Sequence, residues 1–358
     1  MAKTKTLLLG AGKIGETIAH LLHATGDYAL TVADQDTARL APVTALGVAT
    51  AQADFNDPAK LRELIRGTEM VLSACPFHLT PLIAEAAVAS KAHYFDLTED
   101  VESTRRVKAL AAGASTALVP QCGLAPGFIS ILAHAMTRKF DTLRDVHMRV
   151  GALPVYPTNA LKYNLTWSTD GLINEYCNPC EAIIDGVQRE TLALEETEAF
   201  SLDGVTYEAF NTSGGLGTLC DTLTGRVENL NYKTVRYPGH RDLVKMLIRD
   251  LRLGQRREVL KDVLEASVPM TQQDVVLVFV TVSGSRNGRL TQESFAKKIY
   301  STAIDGQSYS AIQITTAAGI CAMVDLLRDG ALPSRGFVRQ EDADLERFLG
   351  NRFGRHYG

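Results

Sequence analysis

Hydrophobic and polar positions alternate along this chain in two different textures. Over its first third, short apolar runs at Thr6–Leu9, Ala29–Ala33, Ala49–Ala51, Glu69–Ala74, Ala92–Asp96 and Ser115–Val119 are separated by helical patterns. The helices are read at Glu16–Leu22, Asp36–Ala45, from Pro58 (with Asp57 as N-cap), at Pro81–Ser90 and at Val101–Gly113. Continuous apolar strands alternating with helices predict a Rossmann-type, doubly wound parallel sheet of the α/β class. From Asp145 onward the pattern changes to turn-rich alternating segments. Strands are expected at Asp145–Val150, Thr206–Asn211, Tyr232–Tyr237 and Val275–Ser283, with helices near Trp167–Tyr176, Leu216–Leu223 and Arg241–Leu253. That is a second, α+β domain on a mainly antiparallel sheet. A helix at Pro126–Lys139 crosses into it, and an Ala/Ile/Leu helix at Ala311–Leu327 returns from it. The expected division is a first domain at 1–124, completed by helices at about 309–358, and a second, substrate-binding and oligomerisation domain at 125–308. The polar tail after Asp329 is expected to dock on a neighbour or to cover the site.

The first strand runs into Gly10-Ala11-Gly12-Lys13-Ile14-Gly15, and the second ends on Asp34, 22 positions after Gly12. Gly10 permits the sharp turn, Gly12 lets the backbone approach a pyrophosphate, and Gly15 lets helix pack on strand. The pyrophosphate would rest on the free N–H groups of the helix start, near Lys13 and Ile14. Asp34 stands where an acid accepts hydrogen bonds from a ribose hydroxyl and repels a 2′-phosphate. With Gln35-Asp36-Thr37 following it and no arginine before Arg39, NAD is the expected cofactor. Ligands of an open parallel sheet bind at the carboxyl ends of its strands. Asp54, Phe55, Cys75, Pro76 and Phe77 are therefore expected beside the cofactor, though each also reads as an ordinary loop residue. By the same rule Asp96 and Cys122 belong to the catalytic region, with Asp96 alternatively capping the turn that follows it.

Composition narrows the rest. The 358 residues are 46% hydrophobic and 22% charged with net charge −4, which gives no general attraction for nucleic acid or an anionic membrane. The basic stretch around Arg249–Lys261 also carries Asp250 and Glu258 and reads as a solvated helix face. No apolar stretch reaches the roughly 18–20 residues that a membrane span needs, and Met1–Lys5 leads directly into a strand, so a cytoplasmic location is expected. Six scattered cysteines fit free thiols. Cys177 and Cys180 have CxxC spacing without a second ligand pair, and no metal is expected.

The glycine fingerprint, Ser73-Ala74-Cys75-Pro76 and Cys122-Gly123-Leu124-Ala125-Pro126-Gly127 together resemble the saccharopine dehydrogenase-like family. Tyr163-Asn164-Leu165-Thr166-Trp167-Ser168 and Thr234-Val235-Arg236-Tyr237-Pro238-Gly239-His240 add to the likeness, which runs over nearly the whole length. The compact size and Thr212-Ser213-Gly214-Gly215 are most similar to its lysine 6-dehydrogenase branch. The resemblance implies NAD-dependent oxidative deamination at the ε-amino carbon of L-lysine, giving allysine, which cyclises to a piperideine carboxylate, and ammonia. It also implies a homodimer or larger homo-oligomer. Asp34 departs from the fungal saccharopine reductases, which use NADP and carry a basic residue near that strand end. A saccharopine-type or polyamine-type NAD(P) reductase is the alternative within enzymes, and a non-catalytic NAD(H) sensor the alternative outside them.

Lysine oxidation requires a cation for the α-carboxylate, an acid beside the ε-amine and a dry channel for the butyl chain. Arg236 is the candidate cation, although it also reads as a structural arginine, with Thr212 and Ser213 adding donors from a glycine-rich turn. Asp96 is the candidate base, with His240 as alternative because its ordinary pKa lies near neutrality. Tyr163 and Trp167, the only Trp, suit the channel wall and equally suit an ordinary core. Lys162 is a candidate proton shuttle and Cys122 a further substrate contact.

Overall fold

The computed structural model describes residues 2–358. The first unit begins with strand β1 (Thr4–Leu9), whose last four residues are buried, and continues α1 (Lys13–Thr25), β2 (Tyr28–Asp34), α2 (Thr37–Ala45) and β3 (Ala49–Gln52). It proceeds through α3 (Pro58–Ile65), β4 (Met70–Ser73), α4 (Thr80–Ala89), β5 (His93–Asp96), α5 (Val101–Ala111), β6 (Ala117–Val119) and α6 (Phe128–Thr137). Local chemistry sets several boundaries. Asp57 caps α3 by accepting from the N–H groups of Ala59 and Lys60, with Pro58 in the first turn. Gly26, at φ 72°, closes α1 in the left-handed conformation that glycine adopts without strain.

The second unit opens with β7 (Thr142–Pro154), α7 (Thr169–Cys177), β8 (Cys180–Ile184), β9 (Val187–Thr191), β10 (Glu198–Leu202) and β11 (Val205–Asn211). It continues with α8 (Leu219–Leu223), β12 (Asn229–Arg236), α9 (His240–Lys245), α10 (Arg257–Ser267), β13 (Asp274–Arg286), β14 (Arg289–Tyr300), β15 (Thr302–Ile304) and β16 (Gln307–Tyr309). The chain then enters α11 (Ala311–Arg328) and finishes with β17 (Gly336–Phe337) and α12 (Leu345–Gly350).

The first unit comprises the chain up to Ile131 together with Gln313–Gly358, and the second comprises Leu132–Ile312. Both crossings thus fall inside helices, α6 and α11, a few residues beyond the expected boundaries at 124/125 and 308/309. The start of α6 belongs to the first unit because Phe128 stacks on Tyr357 at 4.0 Å and on Phe348 at 5.7 Å. In the first unit seven parallel strands run in the order β17-β6-β5-β4-β1-β2-β3, a doubly wound sheet whose order reverses between β1 and β4. The tail after Asp329, expected to dock on a neighbour or to cover the site, is instead part of this unit's own core. It adds β17 to the sheet and buries Phe348, Phe353 and Tyr357. At 18 residues α11 is long and apolar enough to pass for a membrane span, contrary to the reading of the sequence, but it is mostly buried.

The second unit holds a sheet in the order β10-β11-β12-β7-β13-β14, with β8 and β9 joined beside β12. All of its pairs are antiparallel except β12 with β7. The helix expected over Arg241–Leu253 is broken. After α9 a π-turn spans Met246–Asp250, and Arg252 takes φ 57°, so the chain reverses before α10.

Candidate functional site

The glycine turn is compelled by contacts on both sides. A Cβ on Gly10, which sits at φ 96°, would lie 2.7 Å from the Ala74 carbonyl oxygen, and one on Gly15 would lie 1.9 Å from that of Gly10. Gly12 is different. It caps α1 with nothing within 4 Å of where a Cβ would stand, so the approach to the helix start is open. Asp34, last in β2 and 5% exposed, accepts from the Ala11 N–H through Oδ2 at 2.7 Å and from the Asp36 N–H through Oδ1 at 2.9 Å. Each oxygen keeps a further lone pair for a ribose hydroxyl. An open helix start, a backbone that a side chain cannot screen and a buried acid at the next strand end fit a dinucleotide.

The neighbouring candidates separate. Lys13 and Gln35 are exposed and Ile14 half-buried. Asp54 is exposed, and amide donors from the Asn56 backbone and side chain hold its carboxyl below the usual range. Phe55 is not a cofactor contact by its side chain, which is packed into the core with Leu61 and Ile65. Burial pushes the Cys75 thiol up to about 12, so it stays protonated, while Pro76 is exposed and Phe77 half-buried.

Asp96 ends β5, paired in register with Ser73 at the end of β4. Its Oδ1 accepts from the N–H groups of Thr98 at 3.0 Å and Gln121 at 2.9 Å. Its Oδ2 is buried without a hydrogen-bond partner, as is Ser73 Oγ. Burial raises the carboxyl to about 6, tempered by the two N–H donors and by the Tyr94 hydroxyl beside it. Through the Thr98 N–H, Asp96 also caps the turn that follows it, while the cap of α5 is Asp100, which accepts from the Ser103 N–H at 2.7 Å. Cys122, expected as a substrate contact, has its thiol engaged within the turn. It is fully buried, burial lifts its thiol well above the ordinary range, and its Sγ donates to the Val119 carbonyl at 3.0 Å.

In the second unit the structure gathers Arg236, Tyr163, Tyr176 and His240. The Arg236 guanidinium lies 4.8 Å from the centre of the Tyr163 ring, and its Nε donates to Tyr176 Oη at 2.9 Å while Nη1 donates to the Val235 carbonyl at 2.9 Å. His240 Nε2 is 3.0 Å from the same Tyr176 hydroxyl and Nδ1 is 2.8 Å from the Leu161 carbonyl. The carbonyl can only accept, so Nδ1 carries the hydrogen and Nε2 takes the Tyr176 proton. Burial, with Arg236 nearby, depresses its pKa to about 3. With both nitrogens occupied and so low a basicity, His240 is a poor proton acceptor.

Thr212 and Ser213 likewise turn inward. Thr212 Oγ1 is 2.7 Å from Thr234 Oγ1, Ser213 Oγ donates to the Pro179 carbonyl at 2.7 Å, and the Ser213 N–H donates to the Glu175 carbonyl at 3.0 Å. They are therefore not open donors for a carboxylate. Lys162 is exposed and its Nζ donates to the Pro238 carbonyl at 2.8 Å. Trp167 is half-buried against the core of this unit. By geometry Tyr163 Oη, Asn164 Oδ1, Thr166 Oγ1 and Asn211 Oδ1 are buried without a hydrogen bond of good alignment, with the Thr166 and Trp167 side chains beside the Tyr163 hydroxyl. Asn164 and Thr166 stand inside the Tyr163–Ser168 motif, yet nothing in their residue types marks them as unsatisfied.

Two family models match the chain end to end. The saccharopine dehydrogenase NADP-binding domain matches residues 6–119, and the saccharopine dehydrogenase C-terminal domain matches residues 123–353. The chain belongs to the saccharopine dehydrogenase family. Its fold is that of a solved relative, the apo saccharopine dehydrogenase (L-Glu forming) of Saccharomyces cerevisiae, at a TM-score of 0.79 and 17% identity over 97% of both chains. Among curated proteins, the mitochondrial alpha-aminoadipic semialdehyde synthases of Mus musculus and Bos taurus are 21% and 23% identical over 51% of this chain. The chain spans about a fifth of the length of those relatives, 21% of each. As a member of this family it carries a nicotinamide-nucleotide domain, and family membership does not itself choose between the two nicotinamide cofactors.

Proposed function

We propose that this chain is an NAD-dependent dehydrogenase that moves a hydride from the ε-carbon of L-lysine to NAD+, leaving an imine that water hydrolyses to allysine and ammonia. The observation that carries this reading is Asp96: a buried carboxyl at a parallel-strand end, raised to about 6, with one oxygen unpartnered. Such a group is ionised at neutral and alkaline pH, so it can pair with the substrate ammonium and receive its proton as the amine is oxidised. The bound nicotinamide would supply the hydride acceptor. Gly10, Gly12 and the start of α1 would hold its pyrophosphate, and Asp34 its ribose. Asp96 would accept the proton that frees the nitrogen lone pair, and Oδ1 would be kept in place by Thr98 and Gln121. Asp34 supports NAD over NADP by repelling a 2′-phosphate.

A second reading is favoured by the names of the relatives: oxidation at the same carbon of a secondary amine, saccharopine, by NAD or NADP. The experiment that separates them follows reduced nicotinamide at alkaline pH with either cofactor and L-lysine, saccharopine, ornithine or spermidine. Turnover of L-lysine with NAD and release of ammonia supports the proposal. Turnover of saccharopine alone replaces it, and binding of NADH without turnover of any amine leaves a sensor. In the active pair, Asp96→Asn lowers kcat by about 10²–10⁴-fold; near-normal turnover assigns the base elsewhere.

A further inference from the structure

Gln340 lies in the tail, 3% exposed and 220 residues from the turn it touches. Its Nε2 donates to the Pro120 carbonyl at 2.7 Å and to Cys122 Sγ at 3.3 Å. A carbonyl only accepts, so the orientation of the amide is settled by this contact. Between those two anchors stands Gln121, at φ 66°, a left-handed conformation uncommon for a residue with a Cβ. The Gln121 N–H donates to Asp96 Oδ1 at 2.9 Å, and the Cys122 N–H donates to the Asp96 carbonyl at 2.8 Å. The tail is itself tied down next door, where the Val338 N–H donates to the Leu118 carbonyl at 2.9 Å. Gln340 therefore straddles the one residue of the turn whose N–H reaches the Asp96 carboxylate.

We propose that Gln340 is a positioning residue for Asp96, pinning the Pro120–Cys122 turn in the left-handed geometry that aims the Gln121 N–H at the carboxylate. Without the clamp, Gln121 relaxes toward ordinary backbone angles and that hydrogen bond opens. The titratable groups that act on Asp96 are Tyr94 on its own strand and Cys122 from the turn, both held neutral by burial. Losing the N–H then makes Asp96 harder to ionise. The catalytic half of this inference rests on Asp96 being the base; the geometric half does not.

The test is a carbon-13 carboxyl titration of aspartate-labelled full-length protein, with the Asp96 signal assigned from Asp96→Asn, alongside the pH profile of kcat/KM. Gln340→Met keeps the volume and removes the donor. It is expected to move the Asp96 titration up by about one pH unit, and the acid limb of kcat/KM with it, leaving the KM for the cofactor unchanged. Gln340→Leu, which is also uncharged and without a donor, carries the same measurement if the Met variant does not fold. An unmoved Asp96 titration in the folded variant overturns the inference, even if thermal stability falls. A titration that moves while the rate profile does not keeps Gln340 as the positioner and removes Asp96 as the base.

Discussion

Asp34 offers the sharpest examination of the cofactor assignment, because its carboxylate serves two roles that can be pulled apart. One lone pair on each oxygen is taken by an N–H of the turn, from Ala11 at 2.7 Å and Asp36 at 2.9 Å. What remains is free to accept from a ribose hydroxyl, a charge-assisted bond worth about 1.5–3 kcal/mol. Asp34→Asn keeps the shape and one acceptor oxygen and removes the charge. NADH binding should then weaken by about 10–100-fold. NADPH binding should improve, because the like-charge repulsion against its 2′-phosphate is gone. Asp34→Ala removes both acceptors, so two backbone donors beside a residue only 5% exposed also lose their partner. That adds a stability loss of about 1–3 kcal/mol for each donor left buried and unsatisfied. Fluorescence titration of NADH and NADPH, with thermal melts in parallel, reads both effects. The reasoning is refuted if the unmodified protein prefers NADPH, or if Asp34→Asn changes both affinities by the same factor.

The turn itself is tested by Gly15→Ala, whose Cβ would meet the Gly10 backbone oxygen at 1.9 Å; the melting temperature should drop and NADH binding be lost, and an unaltered melt would contradict the packing described. His240 predicts the acid side of the stability curve. Its folded pKa of about 3 lies below the ordinary 6.5, so its contribution is complete above about pH 6.5 and lost as the pH falls toward 3. From pH 7 to pH 5 the loss should be about 2 kcal/mol in urea unfolding, and His240→Gln should flatten that slope; an unchanged slope would mean that other groups set it.

The parts of the fold legible in the sequence are those whose cause is local. Alternating apolar strands and helices, Asp57 with Pro58, and a glycine turn followed by Asp34 each need only neighbours within one supersecondary unit. The parts that escape depend on distant pairing. The two residues of β17 have no period to detect, and the Arg241–Leu253 run reads as one helix until the π-turn and Arg252 interrupt it. Gln340 carries no signal at all, since its meaning lies in a contact 220 residues away.

The second unit shows a different limit. Arg236, His240, Thr212 and Ser213 stand out in the sequence because their side chains could bind a carboxylate or take a proton, and each of them already has a partner within the chain. What the sequence does not reveal is who the partner is. Tyr176 supplies one hydroxyl to both Arg236 and His240, and the Pro179 carbonyl takes the Ser213 proton. A buried donor satisfied by its own chain and one satisfied by a ligand have the same sequence and differ only in what stands within hydrogen-bond reach. An open demand is equally invisible from residue type: Asn164 Oδ1 and Asn211 Oδ1 are buried with nothing in reach, whereas Asn231 Oδ1 meets His147 Nδ1 at 2.9 Å.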